Sequence, residues 1–252
     1  MKAMIFAAGL GTRLKPLTDT MPKAMVPVSG KPLLRHVLDR LYDAGYDDIT
    51  VNVHHFASQI VDHLAGNEGV SEQPGKGVHV SDESAHLLDT GGGILHARRY
   101  LEGDGHFLVH NVDILSDLDL NAFENSLEAD SLATLVVSER QTSRYLLFDD
   151  DMRLVGWTNV KTGEVKSPFK GIDPAKCRKY AFSGIHSMSD RVFDLMEKRE
   201  AHDGVFPIMD FYLDAAADHV IRGYVPDNLR MVDVGKLDTL AAAESFLVDL
   251  SK

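Results

Sequence analysis

Short apolar runs of strand character alternate through the first half of the chain with stretches in which apolar residues recur every three or four positions. Residues 2–7 read as a buried strand, 32–44 as an amphipathic helix, 49–54 as a strand and 56–65 as a helix. Residues 78–81, a helix over 92–101 and the apolar run 107–109 repeat the scheme, followed by a helix near 121–129 and a strand over 132–138. This alternation predicts an α/β fold built on a doubly wound, mostly parallel sheet with crossover helices. After Arg140 the rhythm shortens. Strands over 144–148, 154–158 and 180–186, with 161–179 as a loop between the last two, predict that the sheet becomes mixed. Helices over 190–198 and 207–217, strands over 219–225 and 229–234 and a closing helix over 237–250 follow. No linker, internal repeat or low-complexity tract interrupts the pattern, so residues 1–252 read as a single domain whose second half extends the sheet and covers its open face.

Composition narrows the class. With 44% hydrophobic and 25% charged residues the chain is ordinary for a globular protein, which argues against disordered, fibrous and membrane classes. The single Cys177 forms no internal disulfide, and the first apolar run is too short and too soon broken by glycine for a signal peptide, so the expected location is the cytoplasm. The net charge of −12 argues against a nucleic-acid partner, because phosphate backbones demand a basic footprint. The distribution adds a second fact. Residues 1–40 carry seven Lys or Arg against Asp19 and Asp39, a local +5 that leaves −17 elsewhere, and a small anionic ligand would feel that asymmetry.

The first buried strand runs into Ala7-Ala8-Gly9-Leu10-Gly11-Thr12-Arg13-Leu14-Lys15-Pro16-Leu17-Thr18, whose small residues let backbone N–H groups approach a phosphate chain. The loop is not a Walker P-loop and lacks the third glycine of the dinucleotide fingerprint. Arg13, Lys15 and, after Pro22, Lys23 place three cations beside it, which suits a triphosphate. This segment, with Pro22-Lys23-Ala24-Met25-Val26-Pro27-Val28 and Gly30-Lys31-Pro32-Leu33, resembles the signature of the sugar-phosphate nucleotidyltransferase family. The resemblance implies a Rossmann-like nucleotidyltransferase fold, with residues 1–140 as the nucleotide-binding half and 141–252 as the sugar-phosphate half. It also implies transfer of a nucleoside monophosphate from a nucleoside triphosphate to a sugar 1-phosphate, releasing pyrophosphate, with Mg²⁺ as the ion. By the same resemblance Arg13 would hold the β- and γ-phosphates with Lys15 nearby, Lys23 would neutralise the α-phosphate, and Ala7, Ala8, Gly9, Gly11 and Thr12 would line the nucleotide.

Leu88-Asp89-Thr90-Gly91-Gly92-Gly93-Ile94 opens a helix with three glycines, a costly choice unless something lies close to that backbone. The segment resembles the bacterial N-acetylmuramate 1-phosphate uridylyltransferases and short mannose-1-phosphate guanylyltransferases, in which these glycines lie against the base and ribose. Thr90, Gly91 and Gly92 are therefore expected at the nucleotide, with Glu83 as a candidate base contact. Asp113 stands beyond the 107–109 run, at the carboxyl end of a predicted parallel strand, and resembles the family's metal-binding aspartate although Val112 replaces the usual preceding glycine. Asp233, in Met231-Val232-Asp233-Val234-Gly235, resembles the second metal ligand, with Lys236 in place of a threonine. Two carboxylates make a hard oxygen site suited to Mg²⁺.

Phe182-Ser183-Gly184-Ile185-His186 resembles the family strand in which the glycine admits the sugar, so Gly184 and Asn111 are the acceptor candidates. His54 and His55, on opposite faces of a strand and without further ligands at zinc spacing, are discounted as a zinc site. The basic run of Lys161, Lys166, Lys170, Lys176, Arg178 and Lys179 reads first as a solvated hairpin or subunit contact, and second as a cover for an anionic sugar phosphate. UTP with N-acetylmuramate 1-phosphate is the first expectation. Mannose-1-phosphate guanylyl transfer, a phosphocholine-type cytidylyltransferase and a catalytically silent nucleotide-sugar sensor are the alternatives, and monomer or homo-oligomer stays open.

Overall fold

The computed structural model describes residues 1–71, 73, 75–199 and 204–250. In chain order come β1 (Lys2–Phe6), the short ribbon β2 (Pro27–Val28) and β3 (Lys31–Pro32), α1 (Leu33–Asp43), β4 (Asp48–Val53), α2 (Ala57–Asn67) and β5 (Gly77–Asp82). Then follow α3 (Asp89–His96), α4 (Arg98–Leu101), β6 (His106–Asn111), β7 (Ile114–Ser116), α5 (Leu120–Asn125) and β8 (Ala133–Ser138). The remainder is β9 (Arg144–Phe148), β10 (Leu154–Asn159), β11 (Glu164–Lys166), β12 (Arg178–Ser189), α6 (Val192–Lys198), α7 (Ile208–Ala215), β13 (Ile221–Tyr224), β14 (Met231–Asp233) and α8 (Leu240–Leu250).

The parallel half of the sheet runs β5-β4-β1-β6, with Phe6 opposite Asn52 on one side and Asn111 on the other. The chain leaves β1 for β4 on one side and later returns to β6 on the other, so the carboxyl ends of β1 and β6 flank the point where the winding reverses. Open α/β sheets bind ligands there. The long β12 lies antiparallel to β6 and joins two further branches. Its later residues pair with β8, which pairs in parallel with β13, and its first three pair with β9, leading to β10 and β11. The doubly wound, mostly parallel mixed sheet expected from the pattern is therefore present.

Both faces of the central strands are covered, which is why they are apolar at nearly every position. Ala3 and Ile5 of β1 face a core formed with α1, α2 and α8, where Leu34, Leu38, Ile60 and Phe246 pack. Met4 of the same strand faces a second core with Ile94, Phe107, Phe193 and Tyr212. The sequence pattern is corrected in three places. The expected 92–101 helix begins at Asp89 and is split at Ala97, because the glycines of its first turn pack inside the protein instead of breaking the helix. The 161–179 loop contains β11, whose Lys166 pairs with Trp157. The three-residue β7 carries too short an apolar signal to stand out alone.

Two histidines sit wholly inside this framework. Burial holds His110 down to about 4 from the usual 6.5, partly offset by donation from its Nδ1 to the Asn111 carbonyl at 2.8 Å. Burial, reinforced by His110, holds His186 down to about 3, and its Nδ1 meets the Tyr212 hydroxyl. Both are neutral when folded, whereas the unfolded chain takes up their protons as pH falls below 6.5, so acid destabilises the fold from that point down toward pH 4. Urea titrations between pH 7 and 5 should show stability falling by up to about 1.4 kcal/mol per pH unit for each histidine. His186→Gln should be less stable at pH 7 but have a shallower slope.

Candidate active site

Beyond β1 the chain turns over the end of β4. Asn52 accepts from the amides of Ala7 and Ala8 through its Oδ1, at 2.7 and 3.3 Å, and donates through its Nδ2 to Glu83 Oε1 at 2.7 Å. One carboxamide thus ties together the ends of β1, β4 and β5. The next residues, Gly9 and Leu10, are exposed, and among the described residues the N–H groups of Gly9, Leu10 and Gly11 donate to no protein acceptor. Unpartnered amides in a turn are an anion cradle. Gly11 has φ +63°, and a Cβ there would lie 2.9 Å from Thr18 Cγ2 and 3.1 Å from Lys23 Cβ. Its missing side chain lets the loop fold back onto Lys23.

Lys23 opens a short 3-10 turn and is 9% exposed, with its Nζ in an ion pair with Asp113 Oδ2. Asp113 follows β6, and Asp233 ends β14, which pairs with β7 so that Asp233 lies opposite Ile114. The Val234 amide donates to the Asp113 carbonyl at 2.8 Å. The two acids are therefore neighbours although 120 positions separate them. A Cβ on Gly235 would lie 2.7 Å from Asp233 Oδ1 and 3.0 Å from Arg13 Nη2, so that glycine admits both groups to one spot. Lys15, in contrast, is exposed and paired with Asp19 at 3.0 Å.

A cavity of about 450 Å³ opens between these elements. Ala7, Ala8, Gly9, Lys23, Glu83, Thr90, Asn111 and Asp113 line it, whereas Gly11, Thr12, Arg13, Lys15, Gly91, Gly92, Gly184 and Asp233 do not. The group that approaches the glycine triplet belongs to the protein itself. A Cβ on Gly91 would sit 2.2 Å from the Phe206 ring, one on Gly92 2.0 Å from the Gly204 carbonyl, and one on Gly93 2.6 Å from Glu83 Oε1. The Gly91 amide donates to Phe206 O at 2.8 Å, and the Ile208 amide to Thr90 Oγ1 at 2.8 Å. The protein's own residues Phe206 and Gly204 thus make the close approach expected at Gly91 and Gly92. They are glycines because residues 204–206 dock on the start of α3, which brings Val205 to the cavity wall.

Gly184, too, has a protein side chain where a Cβ would be. Its φ is +75°, it sits where the β12 register slips, and a Cβ would lie 2.8 Å from Asn111 Nδ2. The glycine seats Asn111, and Asn111 reaches the cavity. Ala7 and Ala8 face the cavity, but their amides are engaged by Asn52. The sequence reading missed Asn52, Leu87 and Val205, all on the wall. Of these only Asn52 carried a usable signal, as a polar residue at the carboxyl end of an apolar parallel strand.

Among the described residues no group of three or more His, Cys, Asp or Glu comes together as a metal cage. The pair Asp113 and Asp233 nonetheless fits Mg²⁺, which takes one or two protein carboxylates and completes its shell with phosphate oxygens and water. Asp233 Oδ1 is buried without a hydrogen-bond partner among the described residues, the condition of an oxygen that a cation would satisfy.

The comparisons with known proteins agree with this arrangement. Residues 2–249 match the nucleotidyl transferase family. N-acetylmuramate alpha-1-phosphate uridylyltransferase of Caulobacter vibrioides is 34% identical over 251 residues, covering 98% of this chain and 97% of the relative. The protein of the same name from Neisseria meningitidis is 45% identical over 122 residues, 48% of this chain and 51% of the relative. Among solved structures, HddC from Yersinia pseudotuberculosis complexed with GMP-PN superposes with a TM-score of 0.72 at 26% identity, covering 98% of this chain and 99% of that one. The match of residues 2–249 to the family, with a relative aligned almost end to end, shows that this chain, with its loop of unpartnered amides, buried lysine and two adjacent acids, belongs to the nucleotidyl transferase family and is a sugar-phosphate nucleotidyltransferase.

Proposed function

We infer that the substrates are UTP and N-acetylmuramate 1-phosphate, and that the products are the uridine diphosphate sugar and pyrophosphate. The similarity to the Caulobacter vibrioides uridylyltransferase along nearly the whole of both chains supports that pairing. The observation that carries the mechanism is the meeting of Lys23, folded under the loop that follows β1, with Asp113 just beyond β6, beside the unpartnered amides of Gly9, Leu10 and Gly11. A phosphate oxygen of the sugar 1-phosphate attacks the α-phosphorus in line, the new P–O bond forms as the bond to pyrophosphate breaks, and the electron pair leaves on pyrophosphate. Lys23 stabilises charge on the α-phosphate. The amides of the loop and Arg13 hold the departing phosphates, and Asn111, seated by Gly184, orients the acceptor. Asp113 and Asp233 would hold Mg²⁺, which supplies positive charge to the phosphate oxygens when bound. Such transfer is catalysed by positioning and by charge stabilisation, with no enzyme nucleophile.

The GMP-PN complex of HddC favours a guanylyl transferase as the second reading. Pyrophosphate release over a grid of nucleoside triphosphates and sugar 1-phosphates separates the two. UTP with N-acetylmuramate 1-phosphate should give the highest kcat/KM, and a preference for GTP would overturn the uridylyl assignment. Lys23→Ala should lower kcat by about 10²–10³-fold, on the scale of losing a preplaced charge at the reacting phosphate. The same substitution should tighten Mn²⁺ binding to the nucleotide-free protein, read by paramagnetic resonance, because Asp113 loses its resident cation. Asp113→Asn and Asp233→Asn should each weaken Mn²⁺ binding and lower turnover, with the melting curve still cooperative. Unchanged Mn²⁺ affinity in both would reject the carboxylate pair as the metal site.

A further inference from the structure

A second depression of about 560 Å³ lies between the exposed face of β9, β10 and β11 on one side and α7 on the other. Phe182 contributes to its lining, two residues along β12 from the glycine that seats Asn111. The groove and Asn111 therefore meet the same strand, the groove on its β9 side and Asn111 on its β6 side.

The groove is charged in a particular way. Register places Arg144 beside Asn159 and Asn159 beside Glu164, and Trp157 beside Lys166, so alternate residues of the three strands present one face to it. Lys166 is already engaged, lying 3.8 Å from Asp210 and over the Trp157 ring at 5.7 Å from its centroid. Arg140 spends one donor on the Phe182 carbonyl at 3.1 Å. The Arg144 guanidinium forms no ion pair and no hydrogen bond among the described residues. Glu164 is two strands away from Arg144, about 10 Å, too far to neutralise it. Two guanidiniums with unused, fork-shaped donors in a protein of net charge −12 are a local exception, and the geometry they match is a carboxylate held by two parallel hydrogen bonds.

We propose that this groove reads an acidic substituent on the sugar of the acceptor, with Arg144 as the carboxylate-binding residue, Arg140 supporting it and Glu164 accepting from sugar hydroxyls. The inference rests on the acceptor reading above, and it assigns a reason why an N-acetylmuramate unit, which carries a carboxylate, would be chosen over the same sugar without one.

The test compares N-acetylmuramate 1-phosphate with N-acetylglucosamine 1-phosphate, which lacks the acidic ether, using UTP and the full-length protein. Wild type should favour the acidic acceptor, chiefly through KM. Arg144→Gln should lower the ratio of kcat/KM values for the two acceptors by tenfold or more, Arg144→Lys should restore part of it, and Arg140→Gln should lower it less. Raising salt should erode the wild-type preference and leave that of Arg144→Gln unmoved. Calorimetric titration with each sugar 1-phosphate gives the same comparison without turnover. If the wild-type protein binds and uses only the uncharged acceptor, the N-acetylmuramate reading and this inference fall together. If it prefers the acidic acceptor and Arg144→Gln leaves the ratio of both kcat/KM and affinity unchanged, the inference alone is overturned.

Discussion

The ammonium of Lys23 and the carboxylate of Asp113 meet at the one place where the chain leaves the sheet in opposite directions, and much of the remaining architecture serves to bring them there. Both side chains are largely withdrawn from water, at 11% and 18% exposure. A pair in that position returns little net stability, because desolvation offsets most of the attraction, whereas removing one partner leaves the other uncompensated. Packing alone would be served as well by two apolar side chains. The ion pair fits a site that needs a cation and an anion fixed beside the strand ends before any ligand arrives.

Three devices fix them. The left-handed Gly11 folds the loop back so that Lys23 lies under it. Asn52 satisfies the first two amides beyond β1 and anchors Glu83, so the strand ends do not splay. The ladder between β7 and β14 brings Asp233 beside Asp113. The overall negative charge matters less at the cleft than the nearby cations, because Lys23 lines the cavity and Arg13 lies beside Gly235, and the field close to a cleft counts for more than the sum over the surface.

Much of this was legible in the linear sequence, and the failures have a common cause. The alternation of strands and helices is a local property, and it predicted the sheet; the loop motif is contiguous, and it pointed to the phosphate site. The Gly91–Gly93 triplet is a place of close approach, and the groups that approach Gly91 and Gly92 belong to Phe206 and Gly204, more than a hundred positions away, which no local pattern names. Gly184 makes room for Asn111, a partner that its own strand does not name. Asn52 and Val205 act only through neighbours that folding supplies. Composition exposes a glycine's permissiveness, and only the assembled fold shows what uses it.

The antiparallel pairing of β7 with β14 has a bearing on how the molecule is made. The cradle, Lys23 and Asp113 emerge from the ribosome early, while the strand bearing Asp233 emerges late and must thread back to sit beside them. On the proposed mechanism, a truncated or nascent polypeptide ending before β14 keeps most of the groups that grasp a triphosphate and lacks the second acid. Premature products of translation would therefore grip a triphosphate without the full metal site, and full turnover would await the strand that carries Asp233.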